Sequence, residues 1–388
     1  MQLLKMIIAG VKKAKIILLI LMMIGMLTAL WRAGGTIPMI IYSTIQLIHP
    51  NTILLMAFLL NCCVSVLTGT AFGTVATMGV ISMTMATSLS VNPVLTGGAI
   101  LSGIFFGDRC SPVSTSALLI SELTQTNIFV NIKKMLRSAL LPFILTCAIY
   151  GVMGLLIDSS NELTDLRHLF ASEFNLHWSV LLPALAILLL SIFKINVKIT
   201  MLVSIVSAFF ICLFIQRMEL SEIIKALVFG FSAKGPEVGA MLNGGGVVSM
   251  LRVMAIIAIS SAYAGIFQET GLLYPIKKLI AAVNGKITAY GGTLFTSIII
   301  SVIACNQTLT IMLTHQLNNE IVSDSQKLAI DLEDTAVVIA PLVPWSIAGA
   351  VPLAAIGAPA ASLFAACFLY LVPVFRLSGS LLSKNRRA

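Results

Sequence analysis

Four short stretches of this chain crowd oxygen-bearing side chains into otherwise apolar runs. They are LTGTAFGTVATMG (67–79), GDRCSPVSTS (107–116), NQTLT (306–310) and LEDTAVVIAPLVPWSIAG (332–349). An unpaired polar group in hydrocarbon costs several kcal/mol. Irregular backbone at membrane depth therefore survives only where protein or water lines it. A break rich in Gly, Pro, Ser and Thr frees backbone carbonyls, and the side chains add further oxygens. A hard cation such as Na+ takes such ligands, and the ends of half-helices supply favourable dipoles.

Each stretch carries two readings. Thr68, Thr70 and Thr74 either line a broken helix or pack through small faces with hydroxyls bonded to their own helix. Asp108 beside the Ser-Pro break is an ion-site candidate, or a residue at the membrane edge. Ser111, Ser114 and Thr115 would supply hydroxyl oxygens next to it. Asn306, Gln307 and Thr310 are candidate ligands to ion or substrate, against interhelical hydrogen bonding worth ~0.6 kcal/mol. Glu333 and Asp334 read as ionisable site residues or as the acidic first turn of the next helix. Pro341 and Pro344 break that run beside Trp345 and Ser346, and Trp345 would equally serve as an interface anchor. The expected Na+ set is Thr70, Asp108, Ser111 and Asn306, with Asp108 or Asp334 as the titrating group. Glu269 reads as a helix end near water and Glu237 as loop, and the four histidines are scattered.

The elements that must hold these residues are membrane helices. Of 388 residues, 58% are hydrophobic and only 10% charged, with a mean hydropathy of +1.03. Soluble domains are about a quarter charged. Continuous apolar runs at 16–31, 52–67, 139–157, 179–193, 197–215, 247–267, 290–305 and 359–375 suit helices and not the alternating strands of a barrel. The expectation is an all-α, polytopic membrane protein with roughly nine to eleven embedded segments, some re-entrant. Its partner is the lipid bilayer. The net charge of +9 gathers at Lys12–Lys15, Lys133–Arg137, Lys277–Lys286 and the basic tail, which orients a membrane protein and does not form a nucleic-acid face. The acidic loop 158–177 reads as external. Seven cysteines without paired spacing suggest neither zinc nor disulfides, and no cofactor is expected beyond transported or coupling Na+ and H+. Enzyme signatures such as H-E-x-x-H, G-x-S-x-G and the P-loop do not occur. Bulky Leu30-Trp31-Arg32 argues for a retained first helix over a cleaved signal.

The polar stretch 158–178 divides the chain into a first hydrophobic half, 1–157, and a second, 179–388. Each half carries a hydroxyl or amide break followed by an acidic residue and a Pro/Ser break. Corresponding broken segments in two halves point to a secondary transporter built from inverted repeats.

With LTGTAFGTVATMG, SGIFFGDRCSPVSTS (102–116), AGIFQETGLL (264–273), NQTLTIMLTHQL (306–317) and LEDTAVVIAPLVPWSIAGA (332–350) in this order, the chain resembles the NhaC-type Na+/H+ antiporter family over nearly its whole length. The resemblance implies a multi-pass protein of the bacterial cytoplasmic membrane that exchanges H+ for Na+, or organic acids in some relatives. A small organic anion and a second copy of the chain are further candidate partners. Against the family pattern G-D-K-x-S-P-x-S-D-T, this chain has Thr115 in place of the second aspartate, and Asn306 where an aspartate is usual. The start is also shorter than the pattern, as if one or two segments were missing. Two carboxylates are thus absent from the expected site, which favours two alternatives beside Na+/H+ exchange: a Na+-coupled carrier of a small organic acid or amino acid, and a non-transporting subunit or degenerate paralogue.

Overall fold

A computed structural model describes residues 2–44, 50–112, 114–157, 170–193, 195–233, 235, 238–239, 242–270, 288–319, 322 and 324–385. Most of the polar stretch 158–178, the Lys277–Lys286 loop and Glu237 lie outside them. Among the described residues the chain is helical throughout, with one isolated β-bridge between Phe231 and Gly244.

The N-terminal helix α1 (Gln2–Ala33) is followed by α2 (Thr36–Thr44), and an outer group comprises α9 (Leu182–Ile192), α10 (Val197–Phe214), α11 (Leu220–Phe229) and α12 (Gly246–Thr270). Helix α1 packs along α12. Several polar groups at these seams are paired, as burial favours. The Trp31 indole N–H donates to Ser204 Oγ at 3.0 Å, and Arg32 Nη1 donates to the Asn243 carbonyl at 2.8 Å.

Two further chain segments, one before the outer group and one after it, fold to one pattern. The first comprises α3 (Ile53–Thr68), α4 (Ala71–Thr74), α5 (Val80–Ser88), α6 (Pro93–Cys110) and α7 (Thr115–Leu123). A π-helical turn, Val75–Gly79, joins α4 to α5. Helix α8 (Ile128–Leu155) follows. The second segment comprises α13 (Ala289–Ala304), α14 (Gln307–Asn318), α15 (Ser325–Glu333), α16 (Ala336–Ile339) and α17 (Ile347–Ala355), after which α18 (Cys367–Asn385) closes the chain.

The breaks correspond in backbone detail. Gly69 ends α3 in the left-handed region (φ 66°, ψ 24°), and Thr70 restarts the chain extended (φ −148°, ψ 125°). Cys305 ends α13 in the same region (φ 53°, ψ 16°), and Asn306 restarts it at φ −151°, ψ 130°. In each case the left-handed residue's N–H bonds a serine carbonyl four residues back, Ser65 or Ser301. The second breaks match as well. Ser111-Pro112-Val113-Ser114 precedes α7, and Val343-Pro344-Trp345-Ser346 precedes α17, with the last serine's N–H bonded to the first residue's carbonyl in both. Both serines then cap the following helix, Ser114 accepting from Ala117 N and Ser346 from Ala348 N. The breaks are narrower than the sequence suggested, because 71–74 and 307–310 are already helical.

By length and composition, Ala71–Ser88 and Ile128–Leu155 can each cross a bilayer, and Ser325–Leu342 with Ile347–Ala355 forms a third candidate bent by 57°. Two shorter apolar helices, Ile53–Thr68 and Ala289–Ala304, end at the breaks. Helix α8 presents Leu140, Leu141, Ile144, Val152 and Leu155 outwards, as lipid-facing helices do. Its inner edge is pinned. Tyr150 OH donates to the Ala365 carbonyl at 2.8 Å and so accepts from Ser102 Oγ, also at 2.8 Å. Phe58, Phe106, Phe143 and Phe368 surround that hydroxyl network with ring centroids 4.9–6.4 Å apart. Helix α6 lies so close to α3 that a Cβ at Gly107 would stand 2.3 Å from Ser65 Cβ, the close approach that small residues permit between membrane helices.

Candidate functional site

The site forms where the C-terminus of α6 meets the second segment. Asp108 occupies the last turn of α6 and is 4% exposed. Because α6 stops at Ser111 and the chain turns through Pro112, the N-terminus of α7 folds back onto that turn. Ser116 Oγ donates to Asp108 Oδ2 at 2.9 Å, and Ser114 Oγ donates to Oδ1 at 3.2 Å. The two hydroxyl oxygens lie 2.8 Å apart, so either can turn its proton from Asp108 to the other. From the other segment, Gln307 Nε2 reaches Asp108 Oδ2 at 2.9 Å. Gln307 opens α14 directly after the Asn306 break, so that break aims it at Asp108. Among the described residues no cationic side chain pairs with Asp108.

One residue further on, the chemistry differs. The Arg109 guanidinium is fully buried and ion-paired to Asp334 Oδ1. It also donates to Ser138 Oγ at 2.7 Å and to the Met135 carbonyl at 3.2 Å, both on α8. Arg376 of α18 approaches Asp334 Oδ2 at 2.7 Å through Nε and Asp331 Oδ1 at 2.8 Å through Nη2. Tyr290 OH donates to the Asp334 carbonyl at 3.1 Å, and its ring lies 5.3 Å beneath the Arg376 guanidinium. Two cations and two carboxylates thus tie α6, α15 and α18 together, with α8 and α13 held by their hydrogen bonds.

Glu333 sits beside this knot and outside its pairing. It is fully buried, and among the described residues neither carboxylate oxygen has a hydrogen-bond partner. Asp108, Arg109 and Asp334 lie within its electrostatic reach.

The structure brings Asp108, Ser114 and Gln307 together and puts Glu333 near them. Thr68 and Thr74 form a separate pair, Oγ1 to Oγ1 at 2.9 Å. Thr70 caps α4 by accepting from Gly73 N, Asn306 caps α14 by accepting from Leu309 N, and Ser111 Oγ bonds the Val66 carbonyl. Thr310 bonds back to the Asn306 carbonyl. Of the expected Na+ set, only Asp108 therefore stands in the carboxylate cluster, and Thr70, Ser111 and Asn306 hold the breaks that shape it. Thr115 and Trp345 are exposed, and Trp345 Nε1 bonds the Val302 carbonyl at 3.0 Å. Sequence reasoning passed over Ser116, Asp331, Tyr290 and Arg376 as site residues. A helix start at Thr115 would have turned Ser116, not Thr115, inwards, whereas the reach of Arg376 to Asp331 has no local signal.

Apolar helices long enough to span a bilayer, with paired breaks beside a buried carboxylate that has no cationic partner among the described residues, fit a secondary transporter of the multi-pass, all-α class. The profile of the Na+/H+ antiporter family matches residues 2–121 and 103–378, and the chain belongs to that family. It is 31% identical over 350 residues to a protein described as an uncharacterised Na+/H+ antiporter of Haemophilus influenzae, covering 86% of this chain and 75% of that one. It is 28% identical to the malate-2H+/Na+-lactate antiporter of Bacillus subtilis, covering 88% and 75%. It is 26% identical to the Na+/H+ antiporter NhaC of Alkalihalophilus pseudofirmus, covering 91% and 79%.

Proposed function

We propose that this chain exchanges Na+ for H+ across the cytoplasmic membrane and that Asp108 is the carboxylate on which the two ions compete. One observation carries the reading: Asp108 is buried among neutral donors from both repeats and lacks a cationic partner among the described residues. A buried carboxylate left without a cation must take a proton, a metal ion or several hydrogen bonds. The Ser114 and Ser116 hydroxyls donate to it when the site is empty, and each turns a lone pair inwards when a cation arrives. The Gln307 amide does the same by rotation, exchanging its N–H for its oxygen. Proton and Na+ cannot share the same oxygens, so one must leave before the other binds. Since Gln307 comes from one repeat and Asp108 from the other, movement of one repeat against the other would open the shell to alternate sides. Thr68, Thr70, Thr74, Ser111, Asn306, Thr310 and Ser346 serve this site by fixing the breaks.

The test uses purified protein in proteoliposomes with an imposed pH gradient. Added Na+ should collapse the gradient in the wild type and not in Asp108→Asn. Unchanged collapse in that variant would remove Asp108 from the mechanism.

A second reading, a carrier of a small organic acid, is supported by Thr115 and Asn306, which stand where carboxylates are usual, and by the relative named a malate-2H+/Na+-lactate antiporter. Fewer fixed negative charges suit an anionic substrate. Uptake of radiolabelled lactate or malate that depends on Na+ would favour it over simple ion exchange.

A further inference from the structure

We propose that ions pass between Asp108 and the cytoplasm along one face of α14, and that Thr314 and Asn318 line the stretch of this passage that must open in each cycle. The inference rests on the reading of Asp108 as the cation site.

The face begins at that site. Gln307, whose amide donates to Asp108 Oδ2, is followed by Thr310, Thr314 and Asn318 at helical spacing. All three are fully buried. At about 1.5 Å per residue the 12 residues of α14 extend about 18 Å, a little over half of a ~30 Å hydrocarbon core. The far end is identified by its neighbours. Beyond Asn318, Gln326 at the start of α15 donates to Asn131 at the start of α8. Asn131 in turn donates to Thr126 Oγ1 at 2.8 Å, just past the end of α7. The next turns of α8 expose Lys133, Lys134 and Arg137, the kind of charge that stays in the cytoplasm.

The fold does not satisfy the polar groups on this face. Among the described residues Thr314 Oγ1 and Asn318 Oδ1 have no hydrogen-bond partner. The matching stretch of the first segment, α4–α5, behaves differently. There the hydroxyls of Thr74, Thr77, Thr84, Thr87 and Ser88 each donate to the backbone carbonyl four residues back, at 2.7–3.0 Å. Thr310 follows that habit and Thr314 does not. An unsatisfied hydroxyl and amide oxygen in a dry seam lower stability. Along an ion's route the same oxygens offer lone pairs to a cation parting from its water. Ile311 closes the seam, packed in one apolar cluster with Ile120 of α7 and Leu328 and Leu332 of α15. The structure therefore holds this passage shut, and parting α14 from α7 and α15 hydrates Thr314 and Asn318.

The experiment pairs 22Na+ flux with equilibrium Na+ binding on full-length protein. Thr314→Val removes the hydroxyl and keeps the shape. Its thermal midpoint should equal or exceed wild type. Na+ binding should stay within about twofold, while flux falls about tenfold. Thr314→Ser should keep wild-type flux. Wild-type flux in Thr314→Val overturns the proposal. A parallel loss of Na+ binding also overturns it, because Thr314 would then be a ligand of the bound ion. Should Thr314→Val fail to fold, labelling decides. In inside-out vesicles a membrane-impermeant thiol reagent should modify Asn318→Cys about fivefold faster with Na+ driving exchange than without it, as read by mass spectrometry of that peptide. Labelling that is absent, or equal with and without Na+, overturns the proposal. Na+ binding unchanged in Asp108→Asn removes the Asp108 reading and this proposal with it, whereas the outcomes above overturn the passage alone.

Discussion

Asp108 and Asp334 are both buried carboxylates that end a helix beside a break, yet their neighbours give them opposite roles. Asp334 is clasped by Arg109 and Arg376 and supports Tyr290, so its charge is cancelled in place. Among the described residues Asp108 meets two hydroxyls and an amide, each able to switch between donating to a carboxylate and turning an oxygen to a cation. Removing one partner from a buried ion pair leaves the other charge uncompensated, whereas neutralising a carboxylate that has no cation leaves nothing stranded. Acidity at a break therefore does not identify the exchanging group. On the proposed reading, the presence or absence of a fixed cation does.

The largest effect expected from this contrast is on stability. Asp334→Asn strands Arg109 and should destabilise the protein by about 3–5 kcal/mol. A steep fall in thermal midpoint and in monodisperse yield would show it, and a midpoint close to wild type would erase the distinction. Asp108→Asn should do the reverse, with exchange falling about 100-fold or more while the thermal midpoint holds or rises. Gln307→Ala removes one neutral donor and potential ligand, worth about 1 kcal/mol, and should raise the apparent KM for Na+ about fivefold. A lowered maximal rate with unchanged KM would place Gln307 outside the ion's shell. The smallest effect concerns the matched first breaks. Cys305 holds a left-handed conformation that costs a side-chain-bearing residue about 1 kcal/mol, whereas Gly69 adopts it freely. Cys305→Gly should stabilise the fold by about 0.5 kcal/mol, seen as a small rise in thermal midpoint. Gly69→Ala should lower it.

The sequence made some of this legible and hid the rest for physical reasons. Thr70 and Asn306 are ordinary helix-start residues inside apolar runs, and both restart a helix where the chain breaks. The break at Cys305 carries no glycine, so its left-handed turn has no compositional mark. The Ser-Pro-x-Ser and Val-Pro-x-Ser breaks were visible through proline, which cannot continue a helix. Partnerships were not. Gln307 lies 199 residues from Asp108, and Arg376 lies 45 from Asp331. Nothing local distinguishes an aspartate that will meet arginine from one that will meet serine. Thr115 drew attention because it replaces an aspartate, yet it opens α7 facing outwards while Ser116 turns in.

The most direct test of the difference between the two aspartates is equilibrium 22Na+ binding to purified protein over a range of proton concentrations. Wild type should bind Na+ saturably, with protons displacing it competitively, and Asp108→Asn should bind none. Saturable, proton-displaced Na+ binding that survives in Asp108→Asn would contradict the assignment of Asp108.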